Sequence, residues 1–341
     1  MQQRLEASWS RRGPLVWVLW PLTWPYRLAL LGRRGLYAAG LVREERLPVP
    51  VVVVGNLVAG GAGKTPAVLA VVALLRRQGW TPGLVSRGYG RSGNSVLAVE
   101  RDTPALRCGD EPLLLHLRSG APVQVGRDRP AAARALLQRH PALNILVSDD
   151  GLQHRRLARD AQVIVFDERG AGNGLLLPAG PLREPLARQA PPRSVVVFNA
   201  PVATVNWPGH PVLRGLAGAA ALDAWWHGEA PSLAALAALA GRPLLAVAGV
   251  ARPGRFFAML RDCGLRFDEL ALPDHHAFSA LPWPATTGDV ILTEKDAIKL
   301  PPGTALGATR VWVATLDFQL APASERALCG LLPAPPTPAK E

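Results

Sequence analysis

A glycine-rich segment with a lysine and a threonine follows an apolar run near residue 50. Residues 55–66 read GNLVAGGAGKTP and come directly after Val51–Val54. Glycines let backbone N–H groups converge on an anion, and the positive end of a following helix adds to the attraction. In such a site Lys64 reaches the terminal phosphates of a nucleotide and the Thr65 hydroxyl binds Mg²⁺. The segment therefore predicts a phosphate-binding loop. Its expected members are Gly60, Gly61, Ala62, Gly63, Lys64, Thr65 and Pro66.

The match to the general phosphate-loop pattern GxxxxGK[ST] is incomplete, because Val58 stands where the first glycine is expected. A glycine-rich strand–helix turn with an unrelated lysine is the alternative interpretation. The partner-switching ATPases of the MinD type are a competing class, and they carry a lysine just before the glycine pair. This chain has Ala59 at that position, which disfavours that class.

Two carboxylates end the apolar segment NILVSDD at residues 144–150. In an open parallel sheet, ligands gather at the carboxyl ends of the strands, where Asp149 and Asp150 would stand. Asp149 is placed as the acid that holds Mg²⁺, directly or through water. A helix N-cap is the alternative, although a cap accounts for only one of the two acids. The chain continues with GLQHRR, which adds Gln153 and His154.

A second acidic pair and a histidine pair are further candidates for proton transfer. Residues 108–112 read CGDEP and residues 273–278 read PDHHAF. Of Asp110 and Glu111, one can accept a proton from an attacking hydroxyl while the other serves a metal. A histidine such as His275 can orient an aspartate base. Helix capping and surface histidines are the respective alternatives.

Arginines recur in turns that contain glycine or proline. The three turns are SRGYGR at 86–91, GRDR at 126–129 and LREP at 182–185. A guanidinium group can bind a phosphate through two parallel hydrogen bonds. Each of these arginines alone is also typical of a solvated loop, so the turns indicate phosphate binding only together with the other motifs.

The order of elements predicts the scaffold that these residues need. Short apolar runs rich in β-branched residues alternate with helical patterns, which indicates parallel strands covered on both faces. The predicted strands are residues 51–54, 83–85, 122–125, 144–147, 163–166, 244–248, 270–272, 290–293 and 311–314. The predicted helices are residues 67–77, 112–118, 129–139 and 253–263. The predicted fold class is α/β: a P-loop NTPase-like parallel sheet domain with a second, smaller α/β domain.

A proline-rich passage at residues 200–211 separates the two series of elements. We therefore predict a membrane-associated segment at 1–47, a nucleotide-binding domain at 48–207 and a smaller α/β domain at 208–332. The remaining residues, 333–341, are predicted to be a disordered tail.

The N-terminal segment is apolar and aromatic, with PLVWVLWPLTWPYRLALL at residues 14–31 between arginine pairs. A helix that spans a bilayer needs ~20 apolar residues, and Arg27, Pro21 and Pro25 interrupt this run. Aromatic and basic residues together suit the headgroup zone, so we predict a membrane-interfacial helix. A cleaved signal peptide with small residues at 38–39 and an ordinary buried helix are the alternatives.

The composition of the chain indicates which binding partners and which cellular compartment to expect. The formal net charge of +12 over 341 residues favours anionic partners. Nucleic acid is not expected, because the chain has no RNA-binding aromatic signature and no zinc-finger spacing. The cysteines at 108, 263 and 329 are far apart without a CxxC pair. This spacing disfavours a disulfide framework and a structural zinc site, and it is typical of a reducing cytoplasm.

Nine motifs, taken in chain order, resemble the tetraacyldisaccharide 4′-kinase family, the lipid A kinases of Gram-negative bacteria. The motifs are VGNLVAGGAGKTP, LVSRGYGR, GDEP, VGRDR, DDGLQH, GNGLLLPAGPLREP, ARPGRFF, PDHHAF and ILTEKDAIKL. The resemblance extends over about residues 15–300, nearly the whole chain. Each short motif is weak alone, and their shared order makes the resemblance specific.

The resemblance implies MgATP-dependent phosphorylation of the 4′-hydroxyl of a tetraacylated glucosamine disaccharide 1-phosphate, giving lipid IVA. By this resemblance Asp110 is the catalytic base, aided by His275, and Lys64 acts on the phosphates. The residues that match the magnesium site are Thr65, Glu111, Asp149 and Asp150. The residues that fall in the remaining active-site motifs are Arg87, Tyr89, Arg127, Gln153, His154, Arg183 and Glu184.

The expected cofactors are ATP and Mg²⁺, and the expected partner is the lipid acceptor at the cytoplasmic face of the bacterial inner membrane. No obligatory protein partner is expected. Two alternatives stay open. A membrane-associated, partner-regulated P-loop ATPase or GTPase would hydrolyse nucleotide when a protein stimulates it. A soluble sugar or nucleoside kinase would act fully on water-soluble acceptors.

Overall fold

A computed structural model of the chain describes residues 8–9, 11–274 and 276–336. The predicted catalytic residue His275 lies outside the described residues, and so do positions 337–341 of the predicted tail. Within the described chain, two β-sheets are flanked by helices.

The N-terminal segment forms α1 (Pro14–Leu19), a 3₁₀ turn (Trp20–Leu22) and α2 (Thr23–Ala38). Pro25 lies in the first turn of α2, where a missing N–H breaks no intrahelical bond, so the helix runs through it. Only Val16 and Thr23 are buried in these elements. Most of their large apolar side chains are exposed: Leu15, Trp17, Val18, Trp20, Leu22, Trp24, Leu28, Leu31 and Leu36. The alternative of an ordinary buried helix is therefore wrong.

Among the described residues, no helix combines the length and the apolar character that crossing a bilayer requires.

The first sheet has eight strands in the described chain. They are β1 (Val51–Gly55), β2 (Pro82–Ser86), β3 (Leu97–Val99), β4 (Val123–Val125), β5 (Ile145–Asp149), β6 (Ala161–Asp167), β7 (Ser194–Asn199) and β8 (His210–Pro211). Their spatial order is β3-β4-β2-β5-β1-β6-β7-β8. All neighbours are parallel except β3, which runs antiparallel to β4. Every residue of β1, β2 and β5 is buried, as expected for central strands covered on both faces.

Helices cover both faces of this sheet. They are α3 (Lys64–Arg77), α4 (Ala105–Cys108), α5 (Asp110–Ser119) and α6 (Arg129–Arg139). Apolar residues of α3 and α5 pack on one face, and those of α6 pack on the other. The predicted α/β class with a mainly parallel sheet is confirmed.

The second sheet has five strands and its own helices. Its elements are β9 (Leu213–Ala221), α7 (Leu222–His227), α8 (Leu233–Ala237), β10 (Leu244–Ala248), α9 (Pro253–Asp262), β11 (Asp268–Ala271), β12 (Asp289–Thr293), α10 (Glu294–Ala297) and β13 (Arg310–Gln319). The last helix, α11 (Pro322–Leu331), returns to the first sheet and packs on β6 and β7. The order is β11-β10-β12-β13-β9, with only β9 antiparallel. Helix α3 also packs on β13, so the two sheets share one apolar core. The domain boundary near residue 207 stays a prediction; the chain leaves the first sheet at Pro211.

Every predicted strand and helix occurs, with ends shifted by a few residues. Helix α3 begins at Lys64 rather than at residue 67, because Gly63 adopts a left-handed φ of 89° and turns the loop directly into the helix. The strand β9 was not predicted, since its glycines and alanines have low strand propensity; pairing with β13 along its length forms it. Strands β3, β7 and β8 and helices α4, α7, α8, α10 and α11 were also not predicted.

Candidate functional site

The loop between β1 and α3 has the backbone geometry of an anion cradle. Gly60 and Gly63 have φ angles of 90° and 89°, a region that favours glycine. A Cβ atom at Gly63 would clash with the side-chain amide of Asn199, so no larger residue fits there. The loop ends at the N-terminus of α3, which carries the positive end of the helix dipole. The arrangement can bind phosphate groups.

Side chains hold the carbonyl groups of this loop. Asn56 Nδ2 donates to Val58 O at 2.7 Å, and Asn199 Nδ2 donates to Ala62 O at 3.1 Å. The Arg169 guanidinium donates to the carbonyls of residues 59 and 61 at 3.2 and 3.3 Å. These side-chain hydrogen bonds fix the backbone conformation of the loop.

None of Asn56, Arg169 and Asn199 was predicted as a site residue. Asn56 directly follows β1, Asn199 ends β7 and Arg169 follows β6 by two residues. A polar side chain at the carboxyl end of a parallel strand is the sequence signal that could have found them.

Lys64 and Thr65 stand at the first positions of α3. The Lys64 side chain is 10% exposed, and its Nζ lies 3.9 Å from Asp150 Oδ1. Thr65 is buried, at 3% exposure. The structure thus brings the predicted phosphate residues next to one of the predicted metal acids.

Asp149 ends β5 and is buried. Its Oδ2 accepts a hydrogen bond from Ser86 Oγ at 3.0 Å, and its Oδ1 has no partner among the described residues. Burial, reinforced by the charges of Glu111 and Asp150, raises the pKa of Asp149 to about 6. A buried carboxylate oxygen without a partner is the feature that a bound cation would satisfy.

Asp150 adopts a left-handed φ of 47°, which turns its side chain out of the strand direction. Arg183 Nη1 donates to both of its carboxylate oxygens, at 2.9 and 3.0 Å. Asp150 therefore lies between Lys64 and Arg183, two residues that the sequence motifs had predicted separately.

Arg129 is hydrogen-bonded to the backbone at the same end of β5, and it was not predicted as a site residue. It is 1% exposed, and its guanidinium donates to Asp149 O at 2.9 Å and Gly126 O at 3.2 Å. Burial lowers the pKa of Arg129 to about 10, and the neighbouring carboxylates partly oppose the shift. Arg129 ends the GRDR turn and is the first residue of α6, and neither feature indicates that its guanidinium reaches Asp149.

Gln153, Arg183 and Glu184 form a polar network that reaches the N-terminal helix. Gln153 Nε2 donates to Glu184 Oε1 at 3.1 Å and contacts Asn56 O at 3.4 Å. From α2, Tyr26 Oη donates to Arg183 O at 2.7 Å. Also from α2, Arg34 pairs with Glu184 at 3.4 Å, and Arg33 donates to the Gln153 carbonyl. The N-terminal segment is thereby connected to the candidate site.

His154 is half-buried near several arginines. Burial lowers the pKa of His154 to about 4, and the charges of Arg129, Arg87 and Arg33 act in the same direction. The imidazole is therefore neutral at physiological pH.

We expect this shift to appear in the pH dependence of stability. The unfolded state binds a proton at His154 below pH about 6.5, whereas the folded state resists it down to pH about 4. Its contribution to the free energy of unfolding is thus present above pH ~6.5 and is lost as the pH falls toward 4. In urea unfolding, His154→Gln should reduce the loss of stability between pH ~7.5 and ~5. The exposed control, His210→Gln, should leave that loss unchanged, and an equal loss in both variants would contradict the assignment.

Asp110 and Glu111 are the first two residues of α5, and both are half-buried. Lys295 Nζ, from the helix that follows β12 of the second sheet, donates to Glu111 Oε1 at 2.6 Å. Burial alone would lower the pKa of Lys295. The negative charges of Glu111, Asp274 and Asp149 outweigh this effect, so the pKa of Lys295 is raised. The pairing of Asp110 with His275 stays a prediction.

Arg87, Tyr89 and Arg127 follow β2 and β4 at the same edge of the sheet, and all three are exposed. Arg87 is near enough to influence His154 electrostatically. The structure gives these three side chains no hydrogen bond among the described residues, so their predicted role in the site stays a prediction.

A family model described as tetraacyldisaccharide-1-P 4′-kinase matches residues 15–332. The chain belongs to this family. Tetraacyldisaccharide 4′-kinase of Methylibium petroleiphilum is 56% identical over 99% of this chain and 95% of its own length. That of Leptothrix cholodnii is 52% identical over 97% of this chain and 96% of its own length.

A solved structure has the same architecture. The crystal structure of LpxK from Aquifex aeolicus in complex with ATP matches with a TM-score of 0.74 and 26% identity, over 94% of this chain and all of that chain. The predicted family and the P-loop NTPase-like fold are confirmed. The prediction that the chain is a kinase of lipid A biosynthesis is confirmed at the level of the family.

Proposed function

We propose that this chain transfers the γ-phosphoryl group of ATP to the 4′-hydroxyl of a tetraacyldisaccharide 1-phosphate and so produces lipid IVA. The observation that carries the proposal is the juxtaposition of Lys64, Asp150 and Arg183 beside the buried Asp149, in a chain of this kinase family. The positive and negative groups that phosphoryl transfer needs thus meet at one sheet edge.

The nucleotide is proposed to bind at the phosphate loop. Backbone amides between Gly60 and Thr65 and the N-terminus of α3 would hold its phosphates, and Lys64 would neutralise the terminal phosphate. The neighbour from Aquifex aeolicus, solved in complex with ATP, supports ATP as the nucleotide.

Mg²⁺ fits the donor set at this edge. The unpartnered Oδ1 of Asp149 and the nearby Asp150, Glu111 and Thr65 are oxygen donors, which Mg²⁺ prefers. The described residues hold no ready cluster of three His, Cys, Asp or Glu ligands. Mg²⁺ does not require one, because it keeps several waters and is commonly bound by one or two carboxylates with substrate phosphates. When bound, it would neutralise charge on the phosphoryl group.

Asp110 is proposed as the base that accepts the proton of the 4′-hydroxyl. It starts α5 beside Glu111, whose charge acts on Asp149 at the end of β5. His275 is proposed to orient and support it from the second domain. The approach of the two domains would position both groups and exclude water from the phosphoryl group.

The acceptor is proposed to lie between the phosphate loop and the N-terminal segment. The network of Gln153, Arg183 and Glu184 lines that space and is connected to α2 by a hydrogen bond and an ion pair. His154, Arg87, Tyr89 and Arg127 would complete the acceptor side, the arginines by binding its negative charge.

The chain is proposed to work on the cytoplasmic face of the inner membrane as a peripheral or monotopic protein. The exposed apolar and aromatic side chains of α1 and α2 stand beside the arginines of α2. This combination is typical of helices that lie in the headgroup zone, where the lipid acceptor resides. No obligatory protein partner is part of the proposal.

We expect the double substitution Trp17→Ser and Trp24→Ser to weaken binding to vesicles that contain anionic lipid by at least ~tenfold. These side chains are 58% and 49% exposed, so the fold should be retained. Sedimentation with vesicles measures the effect. Leu233→Ser, at a side chain 62% exposed in the second domain, is the control that should bind as the parent does. Equal binding of both variants would disprove the interfacial role.

The decisive experiment incubates the protein with γ-labelled ATP and the acylated disaccharide 1-phosphate in detergent micelles. Label at the 4′ oxygen is the expected result. Nucleotide hydrolysis without a labelled lipid would favour the partner-regulated ATPase or GTPase instead. Equal transfer to a water-soluble sugar without detergent would favour a soluble sugar kinase.

A further inference from the structure

The motif ILTEKDAIKL contains a lysine that the proposed reaction does not use. Lys295 lies in α10, directly after β12 of the second sheet. Its ammonium group nevertheless reaches the first domain, where it donates to Glu111 Oε1 at 2.6 Å. Because Glu111 is a proposed metal ligand, the contact places a protein cation at the proposed metal site.

The residues on both sides of Lys295 anchor the backbone of α10. Asp296 is fully buried, and its Oδ2 accepts from Gly249 N at 2.9 Å and from Thr293 Oγ1 at 2.7 Å. Glu294 is also buried, and it accepts from Trp225 Nε1 at 3.1 Å. These bonds fix the backbone of α10 on both sides of Lys295, which places its side chain within reach of Glu111.

The environment of this ammonium is acidic on more than one side. Asp149 and Asp274 add to the negative field at Lys295 Nζ, in addition to Glu111. Asp149 Oδ1, buried and without a partner among the described residues, belongs to the same group. Lys64 and Arg129 act on Asp149 from their own positions, and the Lys295 ammonium is the cation that hydrogen-bonds Glu111.

We propose that, in the nucleotide-free protein, Lys295 fills the cation position beside Glu111 that Mg²⁺ takes in the working enzyme. Two cations cannot share one carboxylate oxygen at close range without repulsion. Lys295 must therefore release Glu111 Oε1 before a metal ion binds that oxygen. The inference rests on the proposed function, because that proposal assigns Glu111 to the metal.

The ion pair between Lys295 and Glu111 also connects the two domains, so metal binding at Glu111 would change the contact between them. Glu111 and Lys295 belong to different sheets' domains, so release of the ion pair removes one bond between them. Arg118 and Glu294 form a second ion pair across the same boundary, between α5 and α10. This second pair provides a control, because its loss loosens the boundary without removing a cation from the acidic group.

The test measures Mn²⁺ binding to the full-length, nucleotide-free protein. The electron paramagnetic resonance signal of free Mn²⁺ reports how much of the ion is unbound. The neutral variants Lys295→Met and Lys295→Gln should bind Mn²⁺ at least ~tenfold more tightly than the parent, because the competing charge is gone. Lys295→Arg, which keeps the charge, and Arg118→Met, which breaks only the second pair, should bind as the parent does. The double variant Glu111→Gln/Lys295→Met should lose the gain.

Three results would overturn the inference. Neutral variants that bind Mn²⁺ no more tightly than the parent would show that Lys295 does not compete. The same gain in Arg118→Met would assign the effect to domain loosening. A gain that persists in the double variant would place the metal away from Glu111. The titration uses neither nucleotide nor acceptor, so a failure here is separate from a failure of label transfer to the 4′ oxygen.

Discussion

Asp110→Ala is expected to lower turnover at least ~10²-fold while ATP binding stays nearly intact. A positioned general base contributes a factor of this size, and its loss acts on the chemical step rather than on nucleotide affinity. Asp110 starts α5, whereas the side chains that bond the phosphate-loop carbonyls are Asn56, Arg169 and Asn199. Turnover would be measured by transfer of labelled phosphate, and ATP affinity by calorimetry.

The matched control is Asp223→Ala. Asp223 is also an acid in the first turn of a helix, α7, but it is exposed and lies in the second domain. Its variant should keep the parent's turnover. If Asp110→Ala turned over as fast as the parent, Asp110 would not be the base.

Lys64→Ala is expected to damage nucleotide use broadly, lowering kcat/KM for ATP at least ~10²-fold through both kcat and KM. Its ammonium stands at the start of α3, mostly buried, where it would contact the nucleotide's phosphates before and during transfer. Removing it also leaves Asp150 with Arg183 as its remaining partner cation. Steady-state kinetics with varied ATP would measure the change.

Arg76→Ala tests whether the loss of any positive charge on α3 lowers kcat/KM for ATP. Arg76 lies in the last turn of the helix, is exposed and donates to Ser119 O. We expect its kinetics to match those of the parent. A Lys64→Ala protein whose KM and kcat were both unchanged would remove the loop from the nucleotide site.

The contrast between these two results separates binding from chemistry. A base acts only in the transition state, so its loss lowers kcat without raising KM for ATP. A phosphate-binding lysine acts in both states, so its loss changes both parameters. Observing the two patterns in one protein would support the separate roles proposed for Asp110 and Lys64.

Local sequence determined much of this protein. The run Val51–Val54 followed by glycines predicted a buried strand and a phosphate loop, because both depend on residues adjacent in the chain. The strand ending in Asp149 and Asp150 predicted an acidic sheet edge, since the carboxyl ends of parallel strands meet at one side. The aromatic and basic character of the first helices likewise predicted exposure of their apolar side chains. The family followed from the order of its short motifs.

Only the tertiary structure decided which of these residues touch. Arg169 and Asn199 hold the loop from strands far along the chain, and Arg129 reaches Asp149 from the first residue of α6. Lys295, which follows a strand of the second sheet, meets Glu111 in a helix of the first sheet. Such contacts depend on strand order, on register and on the direction of each side chain, and these are set by packing of the whole chain rather than by neighbours in sequence. The sequence therefore determined the candidate groups, and the packing determined their partners.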